Sequence, residues 1–231
     1  MTSFADIRNH RHHGLFAAII IEPKDTINLH PSHFMHKDCQ EQKLIQLKYN
    51  RSFQEFVLFA QNGIRLLDKN NQLIRTTLNN EVVDHEDTGE KGYNYRSERL
   101  INRLKIVPII HKVFNSKVHC DPATPILKAM TKQPVIIRLF MPGDKPRNIS
   151  FLVHGHQWKS QNNEELSRIL AIQGAISVGS SYNIQLLEGA NQRPGDYLYR
   201  SGSNRWDLES GMWGIVRIRE KKIKKMLPMY M

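Results

Sequence analysis

Eleven histidines and two cysteines are the residues of this chain whose types and spacing could do chemistry. Imidazole and thiolate hold zinc and copper, so their clusters come first. His154-Gly155-His156 sets two imidazoles two residues apart, and on a strand such residues share a face. Two rings make an incomplete metal site, and the competing expectation is a hydrogen-bonded pair packed near Trp158. His10, His12 and His13 gather at the N-terminus, where the bland expectation is an exposed polar end. His30, His33, His36 and Cys39 recur at three-residue intervals. That period aligns side chains along a 3₁₀ or polyproline-like segment and would suit zinc or copper, but it matches no standard ligand spacing. His119 precedes Cys120, which reads either as a thiolate activated by its neighbour or, preferably, as a plain buried cysteine.

The 231 residues hold 40% apolar and 24% charged side chains, the composition of a globular protein with room for a sizeable core. No apolar run approaches the ~18 residues of a membrane-spanning helix, so no membrane partner is expected. The start Met1-Thr2-Ser3-Phe4-Ala5-Asp6 lacks the pattern of a signal peptide, which makes a cytoplasmic location the default. A formal charge of +11 favours anionic partners. The positive residues are scattered apart from the tail Arg217 to Lys225, and no aromatics interleave with a basic stripe. Nucleic acid is therefore not expected. Two cysteines allow at most one disulfide, which is no disulfide framework.

The elements that must position these residues read as β-structure. Gly14 to Ile21 is a continuous apolar run stopped by Glu22-Pro23, the pattern of a buried strand. Residues 24–52 are polar and read as a linker. Phe56 to Ala60 reads as a strand, and Asp68-Lys69-Asn70-Asn71 as a hairpin turn. Residues 79–98 read as an exposed loop. Further strands are expected at 106–110, 135–140, 149–153, 169–172, 182–187 and 212–218, with a short helix at Pro125 to Thr131. Short β-branched runs between Pro, Gly and Asn turns indicate an all-β sandwich.

Four segments, in this order and spacing, carry a resemblance. They are His13-Gly14-Leu15-Phe16 running to Ile21-Glu22-Pro23; Asn94-Tyr95-Arg96-Ser97-Glu98; and Val118-His119-Cys120-Asp121-Pro122-Ala123-Thr124-Pro125 with Gln133 to Leu139. The fourth is the block from Asn148 to Trp213, which contains His154-Gly155-His156-Gln157-Trp158, Pro194-Gly195-Asp196-Tyr197 and Gly211-Met212-Trp213-Gly214. Together they resemble the C-terminal portion of large bacterial multicopper oxidases, the group that includes manganese-oxidising enzymes. The resemblance implies an all-β, cupredoxin-like Greek-key β-sandwich over residues 53–218. It also implies the terminal strands of a preceding cupredoxin in 1–23, a linker over 24–52 and a basic tail over 219–231.

By the same resemblance the chain would bind copper and oxidise a metal ion or a phenol with oxygen. Laid back from Gly211-Met212, however, the family's blue-copper ligand positions fall on Ser201, Gly202, Ser203 and Asp207. Only the axial Met212 is kept, so no blue copper centre is expected. His154 is the retained histidine of the other motif and pairs with His156. His10 falls on the last histidine of the preceding domain's closing motif, whose earlier ligand positions become Phe4 and Asp6. The metal candidates are thus His154, His156 and His10, with copper as cofactor, shared with an upstream cupredoxin chain of the same oxidase. Such an assembly would place the chain outside the cell or on a cell or spore surface. The rival expectation is a non-catalytic domain whose basic surface holds an anionic partner.

Overall fold

The computed structural model describes residues 5, 10, 15–22, 24, 26–29, 42–46, 52–64, 70, 90–143, 148–203 and 205–220. Two sheets face each other across a single apolar core. The first runs in the order β1 (Ile27–Leu29), β2 (Gln42–Gln46), β3 (Ser52–Ile64), β6 (Val135–Phe140) and β11 (Ser181–Gln185), with β4 (Glu90–Tyr93) also on β3. The second runs β10 (Ile172–Ile176), β7 (Ile149–Val153), β12 (Gly195–Arg200), β13 (Trp213–Arg219) and β5 (Ile126–Met130). A two-stranded ribbon of β8 (Trp158–Lys159) and β9 (Ile169–Leu170) completes the described strands. The expected all-β sandwich is what the chain forms.

Period-two alternation explains which side each strand buries. On β6, Val135, Ile137 and Leu139 point into the core while Ile136, Arg138 and Phe140 are only partly covered. Phe56, Leu58 and Ala60 of β3 do the same, and β3 pairs in parallel with β6 from Gln54↔Val135 to Phe59↔Phe140. Phe151, Val153, Tyr199, Val216 and Ile218 face them from the second sheet. Tyr93 enters this core fully buried, edge-on to Tyr199 and Phe151 at centroid distances of 5.2 and 6.1 Å.

The outer face of the second sheet carries a helical cap. Helix α1 (Leu100–Ile106), a 3₁₀ turn (Ile110–Lys112), α2 (Ser116–His119) and α3 (Arg205–Glu209) surround Trp213 and Ile215. Leu100, Leu104, Val113, Phe114 and Leu208 fill the space between.

Several local expectations fail. Residues 24–52, read as a linker, contribute β1 and β2 to the first sheet, with β2 antiparallel to β3. Residues 15–22 are not a buried strand. Leu15, Ile19 and Ile21 are 57%, 66% and 88% exposed, while Phe16 packs tilted against Phe59 and stacks on Tyr95, and Glu22 pairs with Arg138. The apolar run lies along an outer surface and is covered on one side only. Ile106 to Ile110 joins α1 to the 3₁₀ turn, because Pro108 lacks the amide that a ladder needs. The helix expected at Pro125 to Thr131 is strand β5, drawn into a parallel pairing with β13. The loop expected over 79–98 includes β4 and the buried Tyr93. The Asp68 hairpin turn lies outside the described residues except for Asn70.

Candidate functional site

Two neighbouring places hold the residues singled out in the sequence. The first is the end of β7. The strand stops at Val153, and His154-Gly155 turns the chain, so the two histidines do not share a strand face. His154 is exposed and His156 is buried. The Arg200 Nε–H donates to His154 Nε2 at 3.3 Å. His156 Nδ1–H donates to the His154 carbonyl (3.0 Å), and His156 Nε2 accepts the Asn191 amide (3.2 Å). Both ring nitrogens of His156 are thus engaged, and a metal at either one would have to displace a backbone partner. The ring also sits edge-on to Tyr197 at 5.1 Å. Burial holds both imidazoles below the usual 6.5, with Arg200 adding to the effect at His154. A cleft of about 940 Å³ opens beside them, lined also by Gln157, Glu188, Asn191 and Arg193.

A test of this packing is His156→Ala, which orphans the His154 carbonyl and the Asn191 amide in a buried setting. A loss of about 2 kcal/mol is expected in urea unfolding. The depressed imidazole carries a pH signature. Below 6.5 the unfolded chain binds a proton that the folded chain resists, so wild-type stability falls as pH drops from 6.5 through the folded value. That slope should flatten in the variant. An unchanged slope together with an unchanged midpoint would leave His156 no structural role.

The second place lies where the resemblance sets the blue-copper ligands. Ser201 and Asp207 are 0% and 1% exposed, whereas Gly202 and Ser203 are exposed. The Ser201 hydroxyl donates to Asp207 Oδ2 at 2.6 Å, and the Lys91 ammonium donates to Oδ1 at 2.6 Å. Both carboxylate oxygens therefore have protein partners. Met212, fully buried, belongs to the apolar core, and its amide donates to the Asp207 carbonyl. Gly211 and Gly214 are bare for steric reasons. A Cβ on Gly211 would meet Ser97 Oγ at 2.1 Å, and one on Gly214 would meet the Tyr199 hydroxyl at 2.2 Å. The Tyr93 hydroxyl has no hydrogen-bond partner, and burial, followed by the Asp207 charge, pushes it above the usual tyrosine range. Arg200 connects the two places, since its other arm donates to the Ser201 carbonyl at 2.9 Å.

These residues do not fit a blue copper ion. No thiolate or imidazole stands at any of the four positions, and the one carboxylate is already neutralised by an ammonium. Among the described residues no group of three or more His, Cys, Asp or Glu side chains is gathered for a metal. His10 is half-buried, and its carbonyl accepts the Leu15 amide. His12, His13, Phe4, Asp6 and the His30, His33, His36 and Cys39 series lie outside the described residues. Cys120 is a free and exposed cysteine, contrary to the buried one expected. Its φ is +64°, and its carbonyl accepts from Arg103. His119 beside it is buried, with neither ring nitrogen hydrogen-bonded. Sequence reasoning missed Lys91 and Tyr93. Lys91 stood in a stretch read as polar loop, and its partner lies 116 residues away.

No helix among the described residues is long and apolar enough to cross a membrane. Comparison with known proteins gave no matching family model and no matching curated protein. Among solved structures, a multicopper oxidase is similar at a TM-score of 0.43 and 12% identity. The match covers 78% of this chain and 56% of that one, so the chain spans little more than half of the oxidase's length.

Proposed function

We propose that this chain is a cupredoxin-type module without a blue copper centre, which serves a multicopper oxidase-like assembly as a structural or cluster-completing domain. The observation that carries the reading is the Lys91–Asp207–Ser201 network. A buried ammonium supplies the positive charge at the place where the resemblance expects a metal, and no soft ligand is left for electron transfer. In this reading the oxidation of a metal ion or phenol belongs to the assembly, and the copper-bearing domains come from an upstream cupredoxin chain. The assignment of His154, His156 and His10 as metal ligands is part of the proposal, with His154 the accessible member of the first pair.

Copper titration of the purified full chain tests the reading. At one equivalent of copper no intense blue band should appear, in the chain or in Cys120→Ser, whichever histidines take up metal. Stoichiometric copper lost in His154→Ala would support the histidine assignment, and copper retained in that variant would remove it. An intense blue band would overturn the proposal itself.

A further inference from the structure

We infer that the outer face of the helical cap is a docking surface for an acidic protein partner. The inference rests on the reading of the chain as a module that works beside another polypeptide, and it locates the contact.

Residues 99–120 contain five Lys or Arg, two His and no Asp or Glu. The cap sorts these side chains by direction. Leu100, Arg103 and Val113 turn inward onto Trp213 and Ile215. Ile106, Ile110 and Trp206 are 74%, 65% and 53% exposed, an outlay of large apolar surface with no internal purpose. Lys105, His111, Lys112 and Lys117 of the same segment are also exposed.

The acids nearby are already committed to the chain itself. Glu98 receives Arg103 and the Ala123 amide, Asp207 receives Lys91 and Ser201, and Glu209 pairs with Arg205. The cap segments therefore expose large apolar side chains next in sequence to positive ones. A tryptophan and aliphatic side chains are the anchors that protein–protein contacts use. The positive charges set the sign of the partner, since acidic side chains are steered to them and basic ones repelled.

Other anionic partners fit less well. An interfacial membrane helix buries a long amphipathic face, and α1 is only seven residues long. Single-stranded nucleic acid needs a series of stacking rings, and this face exposes one, Trp206.

Trp206 also supplies the readout. Trp158 and Trp213, the other two tryptophans, are 1% and 0% exposed, so only Trp206 emission should respond to docking. The probe is a synthetic peptide alternating Glu with Leu, added to the full chain at low salt. A Lys–Leu mirror peptide and phosphatidylcholine vesicles with about one third phosphatidylserine serve as the other arms. The acidic peptide should blue-shift the emission, and Trp206→Phe should abolish the shift. Lys105→Glu with Lys112→Glu should weaken binding about tenfold or more. Added salt should weaken it further as exposed charges are screened. These substitutions lie outside the buried cluster, and an unchanged thermal midpoint will show that the fold is kept. No shift with the acidic peptide, equal binding by the charge-reversed variant, or a shift with vesicles alone would each overturn the inference, the last in favour of a lipid surface. Copper spectra are independent of this titration. A blue band would sink the proposed function while leaving docking measurable, and absent docking with no blue band would sink the docking surface alone.

Discussion

Replacing Lys91 with methionine is expected to cost about 3–5 kcal/mol of stability, because it strands the Asp207 carboxylate in the interior. Asp207 is 1% exposed, and the Ser201 hydroxyl, which also donates to it, carries no charge. One neutral hydroxyl cannot replace an ammonium at 2.6 Å. The loss should come from the uncompensated charge rather than from the missing attraction. Lys91→Met combined with Asp207→Asn separates the two causes, since the amide oxygen still accepts from Ser201 and no charge is left buried. The double variant should recover to within about 1–2 kcal/mol of wild type in urea unfolding. If Lys91→Met costs under about 1 kcal/mol, or the double variant is worse than the single, the ion pair does not hold this centre together. The outcome bears on function, since a centre that depends on its own ammonium has no vacancy for a metal ion.

What was legible beforehand follows from the range over which each feature is determined. The core strands were readable because Val135 to Phe140 and Ile149 to Val153 are short, largely apolar runs bounded by turn residues, and in the first of them burial alternates with a period of two. Strand β5 was not. Ile126 to Met130 has no alternation that excludes a helix, and its state is settled by the parallel pairing with β13 almost ninety residues on. The apolar run at 15–21 was overread because continuous hydrophobicity was taken to mean two covered faces, while Leu15, Ile19 and Ile21 are exposed and Phe16 packs on Phe59. That Ser201, Gly202, Ser203 and Asp207 carry no thiolate or imidazole could be read from residue types alone. What stands there instead could not, because Lys91 reaches Asp207 from a strand of the opposite sheet. His154 and His156 were expected on one strand face, and the chain turns at His154-Gly155 instead. Their opposite exposures depend on where β7 ends, and element boundaries are the feature least determined by local pattern.

Arg103 should prove the main polar anchor of the helical cap. Its guanidinium is 1% exposed and serves four groups. Nε donates to Glu98 Oε1 at 2.8 Å, Nη1 to the Val113 carbonyl at 2.8 Å and Nη2 to the Cys120 carbonyl at 2.6 Å, while its carbon lies 5.1 Å from the Trp213 ring centre. The three bonds tie α1 to the end of the 3₁₀ turn, to the end of α2 and to Glu98, two residues before α1. Arg103→Met keeps the apolar bulk but leaves two carbonyls and a carboxylate without this donor, at an expected cost of about 3–5 kcal/mol. Arg103→Lys restores the charge but only a single donor head in place of the fork, and should recover less than half of the loss. Because the cap has its own small cluster around Trp213, the damage should be local first. Amides of residues 99–120 should exchange hydrogen faster while β6, β7 and β13 stay protected, and the buried Trp213 should become accessible to a soluble quencher. Uniform loss of protection across the sheets would mean that the cap is no separate unit, and unchanged exchange in 99–120 would mean that Arg103 does not anchor it. The same variant disorders the surface that presents Ile106, Ile110 and Trp206, so it should weaken acidic-peptide docking even though its side chain never reaches the partner.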